Sequence, residues 1–207
     1  MKKVLVSQRV DEYPDRNERR DALDQKLALW LMENKIVPIP VPNLIIYGRG
    51  RSEWLSEWIE SVQPDGVVLS GGNDIESCPE RDATEAFLLD VAREKKWPVL
   101  GICRGMQMMA VADGSELIEV EGHVRTVHHL KGEITGEANS YHNQAIKKCP
   151  NGYRIAATAE DGHIEAIIHK ELPWEGWMWH PEREEVFMER DKERVRKLFD
   201  LRSQISD

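Results

Sequence analysis

The stretch "WPVLGICRGMQMM", residues 97–109, decides the fold. A short apolar run ends in Gly-Ile-Cys-Arg-Gly, and a second run with helical spacing follows. A strand that turns sharply into a helix is half of a parallel crossover unit, and small residues on both sides of Cys103 permit the tight turn that presents its side chain. The N-terminus of the following helix favours a thiolate there, and Arg104 adds a nearby positive charge. From these residues alone Cys103 is either a nucleophile or an ordinary buried thiol.

Working outward, "KKVLVSQ" (2–8) and "DGVVLS" (65–70) read as buried strands. "IVPIPVPN" (36–43), with three prolines, is at best a short strand leading into a loop. Residues 18–33 place Ala22, Leu23, Leu27, Trp30 and Leu31 on one helical stripe. A second stripe of Trp54, Leu55, Trp58, Ile59 and Val62 predicts a helix from Ser52, its candidate N-cap. Helices are also predicted over 80–96 and 184–203. Alternating strands and helices predict an α/β fold with a mostly parallel central sheet flanked by helices. Asp161-Gly162 between two apolar runs, 153–170, predicts an antiparallel hairpin in the second half, and "EGWMWHPE" (175–182) reads as a last strand ending at His180.

The 207 residues fit one domain, 1–207. A net charge of −9 argues against binding nucleic acid or an anionic membrane, and no apolar run approaches the ~20 residues that span a bilayer. The odd cysteine count, at 78, 103 and 149, argues for a reducing compartment, and a cytoplasmic location is expected.

Chemistry at Cys103 needs a base, a group to orient the base, and donors for an oxyanion. In an extended segment His180 and Glu182 share a face, so the carboxylate can orient the imidazole. "LSGGND" (69–74) puts two glycines after a buried strand, and Gly72 can pair its amide with that of Arg104 as an oxyanion site. "HVRTVHHLKG" (123–132) carries His123, His128 and His129 but reads as a loop or edge strand without further ligands, so no metal is expected. The methionines at 106, 108 and 109 read as core, and Trp177 and Trp179 as a pocket wall.

"PVLGICRGMQ", "LSGGND" and "WMWHPE", in that order along the chain once "LSGGND" is placed first, resemble the class I glutamine amidotransferase superfamily. "GGNDI", "ERDATEAFLLDVA" and "SYHNQAI" look most like its γ-glutamyl hydrolase branch. The resemblance implies a flavodoxin-like fold, a Cys103–His180–Glu182 triad, and hydrolysis of a γ-glutamyl amide through a thioester without a cofactor. It also implies that Gly71, Asn73, Gln107 and the Ser140, Tyr141, His142, Asn143 segment hold the glutamyl moiety. The arrangement "SQRVDE…NERRDALDQ" looks like relatives associated with surface-polysaccharide clusters that hydrolyse a γ-glutamyl-CDP-amidate. Arg9 and Arg20, in an arginine-rich segment after the first strand, then suit an anionic leaving group. The chain ends at Asp207 without a synthetase domain, so the alternative is a glutaminase subunit that passes ammonia to a partner synthase; a homodimer is left open. A catalytically silent γ-glutamyl binding protein is the rival from outside enzymes.

Overall fold

The computed structural model describes residues 1–50 and 52–200. In chain order the elements are β1 (Lys2–Val6), β2 (Arg9–Tyr13), β3 (Glu18–Ala22), α1 (Gln25–Glu33), β4 (Ile36–Pro40), α2 (Glu53–Val62), β5 (Gly66–Leu69), α3 (Pro79–Lys95), β6 (Val99–Ile102), α4 (Arg104–Ala112), β7 (Leu117–Glu119), β8 (Val124–Gly132), β9 (Gly136–Tyr141), β10 (Gln144–Ile146), β11 (Tyr153–Thr158), β12 (Ile164–His169), β13 (Trp174–Trp177) and α5 (Glu189–Asp200). Nine strands form one sheet in the order β4-β1-β5-β6-β13-β12-β11-β8-β9. From β4 to β13 neighbours are parallel; from β13 to β9 they are antiparallel. The expected α/β sheet with its 153–170 hairpin is therefore present, and β8 and β9 extend its antiparallel side.

Strands β5 and β6, and β1 over Val4–Val6, read as continuous apolar runs because both of their faces are covered. Successive residues of β13 show how. Trp177 meets Trp30 of α1 edge-on at 6.3 Å and stacks on Trp179, whereas a Cβ at Gly176 would lie 2.8 Å from Met106 of α4. Helices α1 and α4 thus lie on opposite faces. Trp177 and Trp179 are core residues rather than a pocket wall, each with its indole N–H on a carboxylate, Glu175 and Asp191 respectively. The three methionines of α4 are buried, as their spacing predicts.

Several boundaries differ from the sequence reading. Residues 18–22 pair with 9–13 in a two-stranded ribbon, so the first helix begins at Gln25, where the Asp24 carboxylate caps the Lys26 amide at 2.8 Å. The proline-rich 36–40 segment is an edge strand, the place where missing N–H donors cost least. Ser52 precedes α2 in a left-handed conformation without a side-chain cap, and Trp54 is half exposed over Gly48 while Leu55 and Ile59 enter the core. The last strand stops at Trp177, and Pro181–Arg183 form a 3-10 turn. Part of the predicted 184–203 helix lies outside the described residues; its observed portion starts at Glu189.

Candidate active site

Cys103 closes β6 and precedes α4 with φ 50° and ψ −107°, a backbone conformation that costs a non-glycine residue of order 1–3 kcal/mol. The flanking glycines explain how the turn closes. A Cβ at Gly105 would overlap the Leu69 carbonyl oxygen, and one at Gly101 would lie 2.7 Å from the Gly105 carbonyl carbon and the Met106 nitrogen. The Cys103 amide is fixed by the Trp177 carbonyl at 2.7 Å, which ties the turn to the strand leading to His180.

His180 and Glu182 are both buried. Their Nδ1 and Oε1 atoms are 2.6 Å apart although the backbone between them is not extended: Pro181 starts a 3-10 turn. Burial opposes protonation of His180, but hydrogen bonding with Cys103 and Glu182 outweighs it and raises the imidazole to about 9. The ring rests on Gly71, where a Cβ would come within 2.5 Å of Cε1. Tyr141 stands edge-on to it at 6.0 Å.

Two positioning residues were not visible in the sequence. Asn139 brackets the His180 backbone, accepting from its N–H at 2.9 Å and donating to its carbonyl at 2.8 Å. Arg81, fully buried on α3, donates to three successive carbonyls: Ser70 at 2.7 Å, Gly71 at 3.1 Å and Gly72. Gly72 has φ +84°, so the loop turns its carbonyls toward the guanidinium with little steric cost. Arg81 also pairs with Glu85 at 2.9 Å, and Glu85 pairs with Arg104. The Arg104 side chain is consequently buried between Glu85 and Asp82, and its charge is neutralised there rather than offered to Cys103. Burial opposes ionisation of Glu85, but Arg104 and Arg81 hold its carboxyl below the usual range.

The remaining expected residues divide. Arg9 borders a small cleft with Asp24, Gly71, Gly72, His180 and Arg183, and is ion-paired to Asp11 at 3.0 Å. Arg20 lies on the ribbon, bidentate to Glu18 at 2.7 and 2.8 Å and over the Tyr13 ring. Asn73 uses its side-chain amide like a strand neighbour, bonding the Val10 N–H at 2.7 Å and the Val10 carbonyl at 3.1 Å. Gln107 donates to the Gln144 carbonyl at 2.9 Å. Ser140 and His142 alternate with Asn139 and Tyr141 along the chain and point away from His180: Ser140 Oγ donates to the His123 carbonyl at 2.6 Å, and His142 joins His123 and His128. His129, the neighbour of His128, is exposed.

The chain matches a family model over residues 20–197, described as glutamine amidotransferase class-I. The chain belongs to this family. A gamma-glutamyl-CDP-amidate hydrolase of Campylobacter jejuni is 37% identical over 124 residues, 57% of this chain and 62% of that protein. A glutamine-hydrolyzing GMP synthase subunit of Methanocaldococcus jannaschii is 32% identical over 161 residues, 73% of this chain and 76% of that protein. Among solved structures, one assigned as a GMP synthase subunit from Thermoplasma acidophilum superposes with a TM-score of 0.75 at 20% identity, covering 99% of this chain and 97% of that one. That likeness shows the glutamine amidotransferase fold across the chain. No helix among the described residues is long and apolar enough to cross a membrane.

Proposed function

We propose that this amidotransferase-family chain hydrolyses a γ-glutamyl amide, with Cys103 as nucleophile, His180 as acid and base, and Glu182 as the group that orients His180. The observation carrying this reading is the Cys103–His180–Glu182 chain itself, with the thiol on a strained turn at a helix N-terminus and the imidazole raised to about 9. The protonated ring is the right partner for a thiolate and the right acid for a departing amine.

Attack of the Cys103 sulfur on the amide carbon forms a tetrahedral oxyanion. Arg104 is the first residue of α4, so its amide has no acceptor within the helix. Arg81 draws the 70–72 carbonyls to one side and leaves the Gly72 amide free to serve as the second oxyanion donor. Collapse of the intermediate expels the amine, which takes the proton of His180. The neutral imidazole then accepts a proton from water, the resulting hydroxide attacks the thioester, and glutamate leaves as Cys103 is regenerated. No cofactor enters this sequence.

Arg9 and Arg183 stand beside His180 at the cleft, and Arg183 also covers the Tyr141 ring at 4.6 Å. Two guanidinium groups at the mouth favour an anionic leaving group, such as the nucleotide-linked phosphoramidate named for the Campylobacter relative. Arg20 is placed instead on the ribbon, paired with Glu18. The second reading, a glutaminase subunit serving a synthase, draws on the Methanocaldococcus relative. Glutamate release from glutamine, simple γ-glutamyl amides and γ-glutamyl phosphoramidate nucleotides, with Cys103→Ala as blank, separates them. Turnover of a phosphoramidate well above glutamine supports the hydrolase. Activity on glutamine alone, stimulated by a synthase, supports the second reading, and release unchanged by Cys103→Ala overturns both.

A further inference from the structure

The site above uses one of the seven histidines of the chain. Three others, His123, His128 and His142, meet Glu165 in the antiparallel half of the molecule, and their ligand atoms lie within 4.8 Å of one another. His123 Nδ1 and His142 Nε2 are 3.3 Å apart, His142 Nε2 is 3.4 Å from Glu165 Oε1, and His123 Nδ1 is 3.7 Å from the same oxygen. Glu165 is fully buried, yet neither of its oxygens receives a hydrogen bond, and the buried Nε2 of His128 likewise has no hydrogen-bond partner. A buried carboxylate left in this condition is costly, so something must neutralise it.

The outward-facing nitrogens decide what that is. His142 Nδ1 is 3.0 Å from the Gln144 carbonyl, which can only accept, so this nitrogen carries the hydrogen. His123 Nε2 is 2.8 Å from Asp161 Oδ2 and donates to it. In the neutral rings, His123 Nδ1 and His142 Nε2 therefore turn lone pairs toward each other, with His128 Nε2 and Glu165 beside them. We propose that His123, His128, His142 and Glu165 form a binding site for a zinc-type divalent cation.

Three imidazoles and one carboxylate suit zinc, and four protein ligands make a closed site of the structural kind. Metal–ligand bonds of about 2.0–2.1 Å in tetrahedral array separate neighbouring ligand atoms by roughly 3.3–3.4 Å. Two of the observed separations, 3.3 and 3.4 Å, already have that value. Asp161 and the Gln144 carbonyl supply the outer partners that fix ring tautomers around a metal.

Placement gives the site a role. His128 is on β8, Glu165 on β12, His123 just before β8 and His142 just after β9, so the cation staples the β8–β9 hairpin to the sheet. The stapled segment includes Asn139, which brackets the His180 backbone. The Gln144 carbonyl that orients His142 also accepts from Gln107 on α4. The metal thus braces the segment that positions His180 from a place outside the thiol chemistry.

The test uses the full chain, stripped with a chelator and titrated with Zn²⁺, and with Co²⁺ as an optical probe. Expected are one saturable Zn²⁺ per chain, a Tm that rises with Zn²⁺, and the visible absorption of four-coordinate cobalt. Glu165→Gln and His128→Asn should each weaken binding at least tenfold and suppress the Tm shift, whereas His129→Ala should bind as the wild type does. If Glu165→Gln does not fold, the more accessible His128→Asn carries the comparison. No saturable binding overturns the proposal, because a protonated ring then neutralises Glu165; so does binding that these variants leave unchanged. None of these readouts depends on glutamate release.

Discussion

Two groups of buried histidine and glutamate sit in this chain, and they are built differently. At Cys103 the groups follow one another in bonded pairs, sulfur with imidazole and imidazole with carboxylate, Glu182 bonding one ring nitrogen of His180. Around Glu165 they converge, with outer nitrogens bonded to Asp161 and Gln144 and inner ones facing a common point. A series of pairs suits proton movement, because each group hands on what its neighbour gives up. Convergence of lone pairs suits a cation, because no single proton can satisfy them all. The same residue types thus carry different chemistry according to which atoms are already bonded.

The largest expected effect breaks the series at its reacting end. Cys103→Ala should lower kcat for glutamate release on the order of 10³-fold or more while leaving Zn²⁺ binding unchanged. His180→Ala should be similarly damaging, and the double variant hardly worse, because the members act as a unit. Additive losses in single-turnover measurements would mean that the two do not share a step.

Arg81 tests whether the site at Cys103 depends on a rigid loop. It holds the carbonyls of Ser70, Gly71 and Gly72, so Arg81→Met frees the loop and strands the buried Glu85 with one cation fewer. A loss of about 3–5 kcal/mol in stability is expected from breaking a buried pair. Arg81→Lys keeps the charge but cannot span three carbonyls. It should fold, and should lower kcat on the order of 10²-fold with KM little changed, the signature of a lost transition-state contact. An equal rise in KM instead would place Arg81 in substrate binding.

A third expectation concerns pH. The folded-state pKa of His180 is raised to about 9 from an ordinary value of 6.5, so the folded state binds the proton more tightly than the unfolded chain does. The resulting stabilisation is fully present below about 6.5 and is lost as pH rises through about 9. Glu182→Gln removes one source of the rise. Its Tm deficit against the wild type should therefore be widest near pH 6 and narrow toward pH 9; a deficit constant across that window would show that Glu182 does not set the protonation of His180.

How much of this was legible follows from the same contrast. The grouping of Cys103, His180 and Glu182, on which the proposed function rests, could be anticipated because a G-x-C-x-G turn leaves glycines at fixed spacing and a His-x-Glu pair is local in sequence. The role of Arg81 left no such trace, since its partners in the 70–72 loop are backbone carbonyls that any residue could supply. The ligands around Glu165 run from 123 to 165 on four segments, and only strand pairing reveals that His142 and Glu165 complete what His123 and His128 begin. Asn139 was missed, and Ser140 and His142 misplaced, by strand parity: one residue decides which face of the segment meets His180. The ribbon at 9–22 was read partly as helix because its charged, unburied strands lack an alternating apolar signal.

The smallest expected effect separates the thiol from the turn that presents it. At position 103 the backbone holds φ 50°, which alanine tolerates no better than cysteine and glycine tolerates readily. Cys103→Ala and Cys103→Gly should be equally inactive, since both lack the sulfur. Relief of backbone strain should nevertheless make the glycine variant the more stable by about 1 kcal/mol, less the entropy of its freer unfolded chain. For a chain of this size that is about 2–4 °C in Tm. Equal melting temperatures would mean that the turn is held without measurable strain, and the thiol's exposure to His180 would then rest on the Gly101 and Gly105 contacts alone.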